Sequence, residues 1–404
     1  MYNVVGIKLQ FLMGEQEYTV AVMHIIVFAG LFLPLVRLLY VPSRQYSTIL
    51  RRSVIESCEN GSFHALTCIY KEENVPGLIH ILEVNHPTRS NPLSVIALQL
   101  MQLTGRAALP FMGPLDQVTS SSAFRSNLAR CNRVVTSFLH FERENKGNAF
   151  IQHYVAVSPY ATMHNDICQL AYDKGVNIII VPFHAHWDAD GNIVDPSLPI
   201  REVNNKVLEK APCSVGLLVD RGLVAGSKSR SHSQSQLHPQ PQLRIDNADN
   251  VYRIAVLFAG GSDDHEALAY SRLLATHPRV RVVVVWLKGP QDNDIKGLDH
   301  DVMMQFRQKC LGNVRMSFRE AVVNDGAEMT QVVVSIKDAV DLVLVGKHHD
   351  PKCPAVYGLC DGLIEYPELG VIGDMLASSE FGFSILVVQH EQRSNSSEMD
   401  IFDM

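Results

Sequence analysis

The stretch RIAVLFAGGSDDHEALAYSRLLA, residues 253–275, decides the fold. A β-rich apolar run ends in paired glycines, Gly260 and Gly261, and a helical pattern begins at once. A strand that turns through glycine straight into a helix is the opening of a βα unit. Backbone amides exposed at such a helix start favour an anion, and in many α/β proteins the joint cradles a phosphate. Here Ser262, Asp263 and Asp264 follow as good capping residues, and Glu266 adds further negative charge. These carboxylates already use the field of the helix terminus, and neither G-x-G-x-x-G nor G-x-x-x-x-G-K-[ST] occurs in the stretch. Three readings stay open: a self-capped structural turn, an aspartate that accepts from ribose hydroxyls, and a carboxylate–histidine cluster sensing protons or cations.

Outward from this joint, the same order of elements occurs twice. After the strand at 253–259 and the helix at 263–276 come strands at 281–286 (RVVVVW) and 314–322 and a helix at 327–339. A strand at 341–345 (DLVLV), a helix at 369–378 and a strand at 384–388 (SILVV) complete that half. Upstream, strands at 64–70 (HALTCIY), 93–103, 150–158, 177–182 (NIIIVP) and 214–219 (SVGLLV) alternate with helices at 72–85, 161–174 and 202–210. Short, unalternated Val, Ile and Leu runs between helices are what a parallel sheet covered on both faces requires. The fold class is α/β: two doubly wound, flavodoxin- or Rossmann-like domains, at 61–222 and 251–390. Residues 223–250, rich in Ser, Gln, Pro and Asn, read as a disordered linker, and 391–404 as a flexible tail.

Residues 18–36, YTVAVMHIIVFAGLFLPLV, carry no charge and have the length of a membrane-crossing helix, placed at 18–40 after an N-terminal segment of 17 residues. Arg37, Arg44, Arg51 and Arg52 follow, putting the C-terminal side in the cytosol, with 41–60 as a juxtamembrane linker. The net charge of −7 offers no basic face for nucleic acid. The eight cysteines include no C-x-x-C pair, which suits reduced thiols. No Cys/His cluster has zinc-ligand spacing. His184 with His186, and His348 with His349, are local pairs for which loop polarity is the simplest reading.

In an open α/β sheet, ligands bind beyond the carboxyl ends of the strands. Three such places occur in the second half: Gly260–Gly261, the run Gly346–Lys347–His348–His349, and Glu368 to Gly370 with Gly373 and Asp374. Gly260, Gly261, Asp263, Asp264, Gly346, Lys347 and His348 are the candidate residues for a nucleotide or other regulatory ligand. The first half is barer, because its opening strand runs into KEENVP without a glycine pair. No G-x-S-x-G or H-E-x-x-H motif points to an enzyme, and no catalytic or metal residue is assigned. Asp188 and Asp190 sit in a loop as ordinary solvated acids.

Several long stretches carry a resemblance. LPLVRLLYVPSRQY (33–46) resembles the last membrane helix and exit of the plant cation/proton exchangers, a family of monovalent cation:proton antiporters. The stretch at 71–107, beginning KEENVPGLIHILEVNHP, resembles the start of that family's cytosolic region. YVAVSPYATMHNDICQLAYDKGVNIIIVPFHAHWDADG (154–191), IREVNNKVLEKAPCSVGLLVDRG (200–222), FAGGSDDHEALAYSRLLATHP (258–278) and ELGVIGDMLASSEF (368–381) are similar to it as well. The resemblance implies a tandem of universal-stress-protein-like domains on one membrane helix. It also implies a role in potassium or sodium exchange for protons, in potassium and pH homeostasis, at an endomembrane or the plasma membrane. The transport bundle of a parent exchanger is the implied partner; a homodimer and an adenine nucleotide are left open. One span without an intramembrane carboxylate offers no ion path, so the chain reads as the C-terminal part of an exchanger. The glycine-rich nucleotide run of universal-stress-type domains is replaced by VPFHAHWD (181–188) and VGKHHDP (345–351), where Gly346 is a partial match. An alternative reading is a membrane-anchored nucleotide-binding module.

Overall fold

The unalternated apolar runs fold as central strands buried on both faces. Four of them, β4 (Ile178–Pro182), β7 (Ser214–Val219), β11 (Leu342–Gly346) and β12 (Ser384–Gln389), are buried at every residue. The computed structural model describes residues 19–20, 23–28, 30–31, 52–60, 63–89, 91–103, 122–145, 147–187, 193–194, 196–221, 251–290, 297–310, 313–359 and 364–391. The predicted linker at 223–250 and all of the predicted tail at 391–404 except Glu391 lie outside them. Residues 1–50 and 51–404 form two separate units. Within the first, residues 19–20, 23–28 and 30–31 are helical. No helix of the described residues is long and apolar enough to cross a membrane, and the rest of the predicted span lies outside them.

The second unit is built on one sheet. In the first half, β1 (Phe63–Ile69), β2 (Leu93–Gln102) and β3 (Ala149–Ser158) join β4 and β7 in the order β3-β2-β1-β4-β7, all parallel. In the second half, β8 (Tyr252–Phe258), β9 (Val280–Lys288) and β10 (Met316–Val322) join β11 and β12 in the order β10-β9-β8-β11-β12, again parallel. A small hairpin, β5 (His186–Trp187) and β6 (Ile193–Val194), stands apart.

The expectation of two purely parallel sheets needs correction. β7 and β12 pair antiparallel, Leu218 opposite Leu386 and Leu217 opposite Val387, so the halves share one ten-stranded sheet. The physical reason lies at the edges. Each fifth strand is apolar on both faces yet would leave a row of N–H and C=O groups unpaired, and pairing the two edges satisfies both. Both apolar layers cross this seam. Leu217, Val219, Val343, Val345 and Val387 share one core; Ile178, Ile180, Leu218, Leu342, Leu344 and Leu386 share the other.

The helices are α1 (Val54–Asn60), α2 (Val75–Val84), α3 (Ser122–Glu144), α4 (Tyr160–Asp173) and α5 (Leu198–Lys210), then α6 (Ser262–Leu274), α7 (Leu298–Cys310), α8 (Gly326–Ile336) and α9 (Gly370–Ser378). Three of these were not expected from sequence. α1 falls within the segment 41–60. α3 buries a narrow stripe of Val134, Phe138 and Phe141, and α7 buries only Met303 and Phe306. Such thin apolar stripes give a weak helical period.

Candidate functional site

At the carboxyl edge of the second half, β8 ends at Phe258 and the chain turns through Gly260 (φ 113°) and Gly261 (φ 102°) into α6. This left-handed backbone is open to glycine and costly for other residues. Gly261 is the helix N-cap, and no side chain caps it. The capping role expected of Ser262, Asp263 and Asp264 is therefore not theirs. The carboxylates reach instead to the ends of neighbouring strands.

Asp264, fully buried, accepts through Oδ2 from the N–H groups of Ala259 at 2.7 Å and Gly260 at 2.9 Å. Its Oδ1 accepts from the Gly346 N–H at 2.7 Å, at the end of β11. These amides lie at the end of β11 and in the turn between β8 and α6, and one internal carboxylate engages all three. Gly346 is glycine because of this approach: a Cβ there would stand 2.6 Å from Asp264 Oδ1. His349 Nε2 lies 3.3 Å from Asp264 Oδ2. Burial lowers the His349 pKa, but the charges of Asp264 and Asp263 and the bond to Asp264 outweigh it, so the pKa ends above its ordinary value.

Asp263 joins β11 to β12. Its Oδ2 accepts from the His348 N–H at 3.0 Å and from His348 Nδ1 at 2.7 Å, and its Oδ1 accepts from the His390 N–H at 2.9 Å. Glu266, one helical turn further on and fully buried, has Oε1 2.8 Å from His390 Nδ1, while Oε2 accepts from the Val54 N–H at 3.0 Å. Lys347 donates through Nζ to Gln389 Oε1 at 3.0 Å, and burial lowers its pKa against the pull of Asp263 and Glu368. Beside the turn, His265 Nε2 lies 2.7 Å from Asp299 Oδ1. The bond to His265 holds the Asp299 carboxyl below its ordinary range.

Gly260, Gly261, Asp263, Asp264, Gly346, Lys347 and His348 thus converge at the ends of β8, β11 and β12. Both oxygens of each aspartate are engaged by the chain's own donors. Sequence reading missed His390 and Val54, which complete the cluster from far along the chain. The one signal for His390 was its place just beyond the last apolar strand.

The third predicted place serves a different end. Glu368, 3% exposed, lies 3.0 Å from Arg201 Nε and 3.3 Å from His184 Nδ1, both in the first half. Burial, with the Arg201 charge adding to it, pushes His184 down to about 4. Asp374 accepts from the Tyr366 N–H at 2.7 Å. In the first half, Asn204 closes the equivalent edge, accepting from the Tyr70 hydroxyl at 2.9 Å and donating to the Pro182 carbonyl at 3.0 Å. The side chain of His186 and the residues Asp188 and Asp190 lie outside the described set. Among the described residues, no group of three or more His, Cys, Asp or Glu side chains could hold a metal ion.

Two family models match the chain: a plant cation/H(+) antiporter domain over residues 95–223, and a plant cation/H(+) antiporter C-terminal domain over 251–389. The chain belongs to the plant cation/proton exchanger family. Cation/H(+) antiporter 14 of Arabidopsis thaliana is 35% identical over 409 residues, covering 99% of this chain and 47% of that protein. Cation/H(+) symporter 13 of the same plant is 36% identical over 388 residues, covering 95% of this chain and 44% of its own length. The chain therefore spans about half the length of the curated relatives it matches. Among solved structures, it is similar to a universal stress protein from Archaeoglobus fulgidus, 7% identical with a TM-score of 0.44, covering 81% of this chain and 97% of that one.

Along the chain, the two family domains fall on the two halves of the sheet, 95–223 containing β3 to β7 with most of β2, and 251–389 containing β8 to β12. The relatives' names describe transporters, with antiport in one and symport in the other.

Proposed function

We propose that this chain is the cytosolic regulatory region of a monovalent cation:proton exchanger, linked to the membrane through the apolar stretch at 18–36 and acting in potassium and pH homeostasis. Family membership supports the setting. The observation that carries the regulatory reading is the closure of the second half's strand edge. Asp264 occupies the amides of Ala259, Gly260 and Gly346, and what surrounds it is a set of carboxylate–imidazole pairs. Imidazoles held against carboxylates are the kind of group through which a protein responds to protons, as a sensor attached to a proton-coupled transporter requires.

The test is a graft. The matching C-terminal region of a family exchanger is replaced by this chain, and cation-dependent proton flux is followed in vesicles between about pH 6 and 8, where imidazoles titrate. Flux should persist and its pH profile should differ from that of the exchanger lacking the region. Superimposable profiles would overturn the proposal. The nucleotide alternative has a direct check as well. Calorimetric titration of the chain with ATP or AMP should give no saturable heat, since a phosphate approaching this edge meets the carboxylates of Asp263 and Asp264. Saturable binding that disappears in Asp263→Ala would establish the nucleotide module instead.

A further inference from the structure

The polypeptide that enters the sheet body ahead of β1 is fastened by both halves in turn. Arg52 forms a parallel bridge with Cys213 and donates to the Gly175 carbonyl at 3.0 Å, both in the first half. The Ser53 carbonyl accepts from the Asn177 side-chain amide at 3.3 Å. At Val54 the chain changes partner, because its N–H, at the start of α1, donates to Glu266 on α6 of the second half. Val54 is fully buried, and the Ser57 hydroxyl, also buried, bonds back to the Val54 carbonyl at 2.7 Å. The remaining Glu266 oxygen faces His390 Nδ1 at 2.8 Å. One buried carboxylate thus holds the incoming chain with one oxygen and a titratable imidazole with the other. The His390 side chain is about one-third exposed, so protons reach it without unfolding.

We propose that residues 52–57 form a strap, that Glu266 is its latch, and that a charged His390 keeps the latch shut. The groups facing His390 suit a cation. Glu266 and Asp263 approach from α6, Asp263 also taking the His390 N–H, and Glu391 follows in the chain. Lys347 and His348, at the end of β11, turn to Gln389 and Asp263. The Cys213 thiol, ahead of β7, faces Glu266 and Glu391 and is itself pushed far up by burial. The hydrogen bond to Glu266 raises the His390 pKa; burial opposes it, and the charges of Glu266, Asp263 and Glu391 reinforce it. When His390 loses its proton, Glu266 is a buried anion facing only neutral donors, a costly state. Opening the strap lets water reach that carboxylate. Because the folded pKa is raised, the latch is fully closed below the ordinary imidazole range and is lost as pH rises through the raised value.

Amide hydrogen exchange on the full 404-residue chain, corrected for the intrinsic pH dependence of exchange, tests this. Protection at residues 54–57 should fall as pH rises from about 6 to 9, by up to about tenfold for each pH unit separating the folded His390 pKa from its ordinary value. Glu266→Gln keeps both hydrogen bonds, its amide oxygen accepting from Val54 and its amide N–H donating to a neutral imidazole, so protection there should become flat with pH. His390→Gln, at a half-open position, should also be flat, while protection of β8 and β11 stays as in the unmodified chain. A flat profile in the unmodified chain, or the same fall with pH in His390→Gln, would overturn the strap. The strap takes its purpose from the regulatory reading, but exchange reads structure and not transport. A negative result here therefore leaves that reading standing, and a failed graft leaves this test intact.

Discussion

At the scale of single residues, Asp264 carries the largest share of the site. Its carboxylate is fully buried and accepts from three backbone amides on two strand ends. Asp264→Ala orphans those donors, and each buried donor left without a partner costs about 1–3 kcal/mol. The variant should lose about 3 kcal/mol or more of stability, read as a lower urea midpoint. Asp264→Asn should recover part of this, because its single oxygen cannot serve amides on both sides. Gly346→Ala should fall near the alanine variant for a steric reason, since the new Cβ would press on the same carboxylate. This part of the site was legible in the sequence to a degree. Adjacent acids at a helix start said that a phosphate would be repelled, but which amides they would engage depended on β11 lying beside β8.

At the scale of elements, the joint between the halves rests on histidines kept neutral by burial. His184 sits against Glu368 and Arg201. On the other face His86, beyond α2, meets His277, beyond α6, edge to face with ring centroids 4.7 Å apart. Burial and then the neighbouring His86, Arg279, Arg315 and His80 push His277 down to about 4, as burial and Arg201 do for His184. A histidine with a lowered folded pKa contributes stability that is present above the ordinary value of 6.5 and lost as pH falls toward 4. His277→Gln should therefore flatten the acid limb of a urea-midpoint-versus-pH curve. The ceiling is about 1.4 kcal/mol for each pH unit by which folding lowers the His277 pKa, and solvent around this partly exposed ring screens it to less. Truncating the seam is expected to be costly in a different way. Leu386, fully buried opposite Leu218, should lose about 2–5 kcal/mol as Leu386→Ala, at all pH values.

At the scale of the whole second unit, the two halves share a sheet and both apolar layers, so they should unfold together. Differential scanning calorimetry on the chain should show one transition for residues 51–404 rather than two. The pH dependence of that transition should have two limbs of opposite sign. His184 and His277 weaken the fold on acidification, while His349 and His390, with raised values, withdraw their contribution as pH climbs above 6.5. A maximum near neutral pH follows, and a monotonic curve would show that these histidines do not govern it.

The sequence by itself determined the α/β class, most of the strands, the strand ends where the cluster lies, and the family. These are local matters: a strand buried on both faces must be an unbroken apolar run, and a βα joint must carry its turn residues at fixed offsets. Only the tertiary structure decided that two expected domains make one ten-stranded sheet, that Glu368 belongs to the seam, and that His390 and Val54 meet on Glu266. Edge pairing and hydrogen-bond partners across more than a hundred residues leave no period in the sequence. They follow from which edges remain open and which buried charges still need a donor once the local elements have formed.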